Sequence, residues 1–116
     1  MGDSKASAKG FGHIDTNALA HLIDSKVPVI ILDARTGQYD DGKRIATAQT
    51  LNGESSSEQV SKVIPSKKSL IVVYCSNTQC PASMMLATHL SELGYSHILK
   101  YDQGIQGWIE SGYPIR

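Results

Sequence analysis

The sequence predicts an α/β fold, with a central parallel sheet of about four or five strands and helices on both faces. Three observations lead to it. Residues 27–32 (VPVIIL) and 70–74 (LIVVY) are apolar throughout and rich in β-branched side chains, the pattern of strands buried on both faces. Segments with helical apolar spacing separate such strands along the chain. At 116 residues, the chain has room for one core and little more.

The elements follow in order. Asp15 or Thr16 is placed to cap a helix whose stripe is Ala18, Leu19, Leu22 and Ile23, ending near Ser25. The strand at 27–32 comes next, with Pro28 at its start. Residues 36–44 (TGQYDDGKR) are polar and turn-like, and residues 46–51 form a short strand of small and β-branched side chains. A loop at 52–58 leads into a short helix with Val60, Val63 and Ile64 on one face, stopped by Pro65. The strand at 70–74 runs straight into Cys75. Pro81 is expected at the first helical position, where its missing N–H costs nothing. That helix carries Ala82, Leu86, Leu90 and Leu93, and Gly94 closes it. Residues 97–100 read as a strand, and residues 104–111 as a terminal helix bearing Trp108, a core anchor.

Composition bounds the function. The apolar share is 41%, and eleven basic residues balance eleven acidic ones. This balance points away from nucleic acid, which calls for a basic patch, and gives no reason to expect an anionic membrane surface. No stretch reaches the roughly 18 apolar residues of a membrane span. The N-terminus has no apolar core of a secretory signal, and Ala6 stands where myristoylation wants Ser or Thr. Residues 1–12 are expected to be a flexible tail and residues 13–116 the domain, in a cytoplasmic setting. His13, His21, His89 and His97 are scattered, so no metal site is implied, and no organic cofactor either. Cys75 and Cys80 are five residues apart. A disulfide there closes a very short loop and gains little entropy, so the pair leans towards chemistry.

Cys75 is expected at the C-terminal end of a parallel strand, where open α/β sheets place their sites. A helix N-terminus follows, with unsatisfied N–H groups and the positive end of the dipole. A cysteine in that setting has a lowered pKa and more thiolate, which can attack the outer sulfur of thiosulfate or a persulfide. A second nucleophile then removes that sulfur, in a ping-pong cycle. The plain alternative is a small core hydrophobe; the loop and helix start weigh for reactivity. Cys80, expected at the N-cap, either resolves Cys75 by forming a disulfide or fills space. Ser76, Asn77, Thr78 and Gln79 supply polar but uncharged side chains. Ser83 either donates into the loop or is solvated.

Three pieces of the chain resemble the rhodanese (sulfurtransferase) family. They are ILDAR at 31–35 with Tyr39 and Gly42 after it, LIVVYC followed by SNTQCPAS and a helix, and GIQGWIESGYP at 104–114. The resemblance spans about residues 13–116. It implies sulfane-sulfur transfer from thiosulfate or a persulfide to cyanide, a thiol or an acceptor protein, with Cys75 as carrier. By position Asp33 and Arg35 are structural or border the site. A strand-end turn with a surface ion pair is preferred to a direct catalytic role.

The chain also departs from the family. The first signature continues GKRIATAQ rather than Gly-His-Ile-x-Gly-Ala. Ser76 stands where the family carries an Arg, Cys80 where another cation is common, and the loop is about two residues longer. Lys43 and Arg44 could lean in but are expected to be solvated. Thiosulfate, a dianion, is therefore expected to be a poor donor, and a persulfide a better one. Three alternatives stand beside this: a phosphatase-like enzyme, disfavoured because no Arg or Lys lies between Cys75 and Ser83; a Cys75/Cys80 thiol redox protein; and a non-catalytic rhodanese-like interaction module, against which the presence of Cys75 counts.

Overall fold

The computed structural model describes residues 10–116, so the tail expected at 1–12 lies largely outside the described residues. Five strands form one parallel sheet: β1 (Gly12–Ile14), β2 (Ile30–Asp33), β3 (Gln49–Thr50), β4 (Ile71–Tyr74) and β5 (Ile98–Tyr101). Their order is β1-β5-β4-β2-β3, and every neighbouring pair is parallel. Four helices cover it: α1 (Thr16–Asp24), α2 (Ser57–Val63), α3 (Ala82–Glu92) and α4 (Gly104–Glu110). No helix among the described residues is long and apolar enough to cross a membrane.

The two faces follow from the alternation of side chains along a strand. Ile71 and Val73 of β4 face a core built with Val60 and Ile64 of the α2 segment and Leu86, Ala87 and Leu90 of α3. Val72 and Tyr74 face the other core, with Leu19 of α1 and Ile105 and Trp108 of α4. All four residues of β4 are buried, which is why it reads as an unbroken apolar run. Trp108 is 4% exposed; its Nε1 donates to the Pro114 carbonyl at 2.8 Å, and its ring stacks on Tyr113.

The caps match the chain's local chemistry. Asp15 accepts from the Ala18 amide and opens α1. Ser56 and Gln59 form a reciprocal capping box at α2. Gly94, at φ +100°, sits just past α3 as expected of a left-handed C-terminal residue. The differences are at edges. The strand expected from Val27 starts at Ile30, beyond Pro28. The one expected at 46–51 pairs only at Gln49–Thr50. β1, a short and mostly exposed edge strand, has no sequence pattern that announces it.

Candidate active site

Between β2 and β4 the chain's connections run in opposite directions, outward to β3 and back across to β5. Such a reversal opens a crevice at the C-terminal strand ends. Both sequence-predicted groups fall there. Asp33 ends β2 with Arg35 two residues on, and Tyr74 ends β4 and is followed by Cys75. A cavity of about 460 Å³ lies at this point, lined by Arg35, Thr36 and Tyr39 on one side and by the 75–82 segment on the other.

Cys75 is 1% exposed, at the cavity floor. Its carbonyl accepts from the Ile105 amide at 3.0 Å, and that of Ser76 from Gln106 at 3.0 Å. The start of α4 therefore holds the first two residues of the loop by their carbonyls. Asn77 shapes the next part: its Oδ1 accepts from the Gln79 amide at 2.9 Å, its Nδ2 donates to Gln106 Oε1 at 3.1 Å, and its carbonyl accepts from the Cys80 amide at 3.3 Å. The amides of Ser76, Asn77 and Thr78 have no protein acceptor among the described residues, and of these three residues Ser76 and Asn77 line the cavity. Sequence reasoning missed this clamp from α4. Gly104 was its one visible signal, since a Cβ there would stand 2.6 Å from the Cys75 carbonyl oxygen.

The Sγ atoms of Cys75 and Cys80 are joined in a disulfide, with Cα atoms 6.2 Å apart. Cys80 therefore stands within bonding reach of Cys75. Its expected position moves by one residue. Pro81, not Cys80, is the N-cap of α3, because its αR backbone already belongs to the first turn while its ring removes a donor. Ser83 is 2% exposed, so it is not the solvated serine of the plain reading; it faces inward with the Leu86 and Ala87 side of α3.

Asp33 and Arg35 depart more from expectation. They make a buried pair, 0% and 4% exposed, and not a surface one. Arg35 Nη2 donates to Asp33 Oδ2 at 2.8 Å, and Nε bridges both carboxylate oxygens at 3.0 and 3.1 Å. The rest of its guanidinium goes to Asp41 at 3.1 Å and to the Lys43 carbonyl at 2.6 Å. Burial works against its charge, yet Asp33 and Asp41 hold its pKa above the ordinary arginine value. Arg44 is likewise not the solvated charge expected. It pairs with Asp40 at 2.7 Å and Asp33 at 3.3 Å, since three aspartates and two arginines crowd the same turn. Neither Arg44 nor Lys43 lines the cavity. Among the described residues Arg35 is the one cation on its wall, and its N–H groups are spent on carboxylates and carbonyls. No cluster of His, Cys, Asp or Glu able to hold a metal ion occurs among the described residues.

A parallel α/β sheet with a cysteine at the C-terminal end of its central strand, looped onto a helix start, defines a class of cysteine-site proteins. The Rhodanese-like domain family model matches residues 15–111, and the chain belongs to that family. Solved structures share the fold. The BH2092 protein of Bacillus halodurans aligns with a TM-score of 0.80 at 23% identity, over 90% of this chain and 76% of that one. The rhodanese-like domain of an Anabaena protein aligns at 0.73 and 21%, over 90% and 77%. A thiosulfate sulfurtransferase of Pseudomonas aeruginosa aligns at 0.71 and 17%, over 91% of this chain and 20% of the larger one. No curated protein matches.

Proposed function

We propose that the protein is a sulfurtransferase that carries sulfane sulfur on Cys75 and takes it from a persulfide rather than from thiosulfate. The observation that carries the reading is the cavity at Cys75: a cysteine floor, the lining residues Ser76 and Asn77 with unpaired amides and, among the described residues, no cation free to act. In the reduced protein the Cys75 thiolate attacks the outer sulfur of R–S–SH, the S–S bond breaks, and the electron pair leaves with R–S⁻. The loop amides then hold the Cys75 persulfide anion. An acceptor thiol or cyanide attacks the outer sulfur and returns the Cys75 thiolate. The acceptor is a small thiol or a protein thiol. A reducing compartment such as the cytoplasm suits the cycle, because only the dithiol form accepts sulfur.

A dianion needs charge-assisted donors, and here Arg35 is committed elsewhere. The test is thiocyanate formation by the pre-reduced protein with cyanide as acceptor. With a low-molecular-weight persulfide as donor we expect turnover that Cys75→Ser abolishes. With thiosulfate we expect a KM above about 1 mM, the upper end of the usual enzyme range. Absence of turnover with either donor overturns the reading. The Cys75–Cys80 bond favours one second reading, a dithiol redox protein. Reduction of insulin disulfides by the native chain, lost in Cys80→Ser, is its signature.

A further inference from the structure

The sulfurtransferase cycle leaves Cys80 without a task, although the structure joins it to the carrier. We infer that Cys80 discharges the Cys75 persulfide from within, releasing its outer sulfur as sulfide and leaving the Cys75–Cys80 disulfide. The inference rests on the proposed sulfur-carrier reading and adds to it a second activity, a dithiol-dependent persulfide reductase.

The geometry points to the inner sulfur. Cys80 Sγ is bonded to Cys75 Sγ, the atom that becomes the inner sulfur once Cys75 is loaded. The Cα separation of 6.2 Å lies within the usual disulfide range of about 4.4–6.8 Å. The loop that sets this separation is anchored without the help of the bond. Ile105 and Gln106 hold its first two carbonyls, Asn77 closes its middle, and Pro81 starts α3 at its end. The two thiols of the reduced protein therefore stay within reach, and an intramolecular attack so placed outcompetes a dilute external thiol. The bond closes too short a loop to add much stability, so its use lies in chemistry. Arg35, the one cation on the wall among the described residues, is bound to carboxylates and carbonyls, so only neutral loop amides are left for the terminal anion, which agrees with a persulfide that is consumed rather than stored.

The step balances. The Cys80 thiolate attacks Cys75 Sγ, the persulfide S–S bond breaks, and its electron pair leaves as hydrosulfide: Cys75–S–SH plus Cys80–SH gives Cys75–S–S–Cys80 plus hydrogen sulfide. The outer sulfur is reduced to the sulfide level and the Cys80 sulfur is oxidised from thiol to disulfide, while the Cys75 sulfur keeps its oxidation state. An external dithiol then reopens the disulfide and leaves as its own cyclic disulfide. Cys80 is the partly exposed member of the pair and Cys75 the buried one, so the dithiol attacks Cys80 and frees the Cys75 thiolate for the next donor.

The experiment uses the full chain, reduced, freed of reductant, and mixed with one equivalent of an alkyl persulfide. Free sulfide and intact mass are followed after alkylation at timed intervals. For the native chain we expect a transient gain of one sulfur atom, then a species lacking two hydrogens, with about one equivalent of sulfide appearing in step. Cys80→Ser should gain the sulfur and keep it, with sulfide release slowed at least about tenfold; Cys75→Ser sets the background. Disulfide formation without sulfide, or sulfide release from Cys80→Ser at the native rate, overturns the inference. The timed native series decides it even where the serine variant is unstable. Sulfur that both native and Cys80→Ser proteins retain, and that cyanide removes, sinks the discharge step alone. Sulfur taken up by neither sinks the carrier reading itself.

Discussion

The Asp40 carboxylate accepts from Arg44 at 2.7 and 3.0 Å and from the Gly42 amide at 2.9 Å. These contacts, the Arg44 hydrogen bond first, pull its pKa down to about 2. An unfolded aspartate titrates near 4, so the folded value is the lower one. Asp40 therefore contributes stability that is fully present above about pH 4 and is lost as pH falls through about 2. The side chain is 23% exposed, and after solvent screening the contribution is about 1–2 kcal/mol. We predict that Asp40→Asn is less stable than the native protein at pH 6 by that amount, and that the gap closes near pH 2. Urea unfolding at the two pH values measures it; a gap unchanged by pH refutes the assignment. The consequence for the site is positional. Asp40 holds Arg44 and Arg44 reaches Asp33, so the turn that walls the cavity is fastened to the strand end that Arg35 shares.

At the scale of elements, α4 and the Cys75 loop act as one unit. Gly104 sits at φ +68°, and a Cβ there would meet the Cys75 carbonyl oxygen and the Ser76 carbonyl carbon at 2.6 Å each. Those are backbone atoms and have no rotamer to escape into. Gly104→Ala thus adds left-handed strain of about 1–2 kcal/mol to a clash that α4 relieves only by moving away. We predict a stability loss of at least about 2 kcal/mol, together with slower sulfur uptake by the reduced protein, because Ile105 and Gln106 no longer clamp the loop. Native stability in this variant, by thermal or urea unfolding, contradicts the account. Much of this unit was legible in the sequence. Buried β4, the cysteine after it and the stripe of α3 are local patterns, and local patterns read directly. What was not legible depends on distant partners. The burial of Asp33 and Arg35 needs strands β2 and β4 side by side, and the Asn77–Gln106 bond joins residues 29 positions apart. β1 escapes because three residues on a sheet edge, two of them exposed, carry neither period nor apolar run.

At the scale of the whole molecule, charge is the property that bears on the choice of donor. The formal net charge is zero, so no overall field gathers an anionic donor, and Arg35 on the cavity wall is neutralised by its neighbours. Both facts predict sulfur uptake that is insensitive to ionic strength. Sulfur uptake from thiosulfate should change by less than about twofold between 0.01 and 0.15 M salt, over which the Debye length falls from about 30 to 8 Å. Gln79 is exposed and lines the cavity, so a longer side chain fits there without repacking. Gln79→Arg should lower the thiosulfate KM about tenfold, the worth of one charge-assisted hydrogen bond. It should also introduce the missing salt dependence, while uptake from an alkyl persulfide stays within about twofold of native. Steady-state rates at the two salt concentrations decide between the alternatives. Strong salt dependence in the native protein means that some other cation reaches the donor, and an unchanged KM in Gln79→Arg means that the shape of the loop, not its lack of charge, excludes thiosulfate.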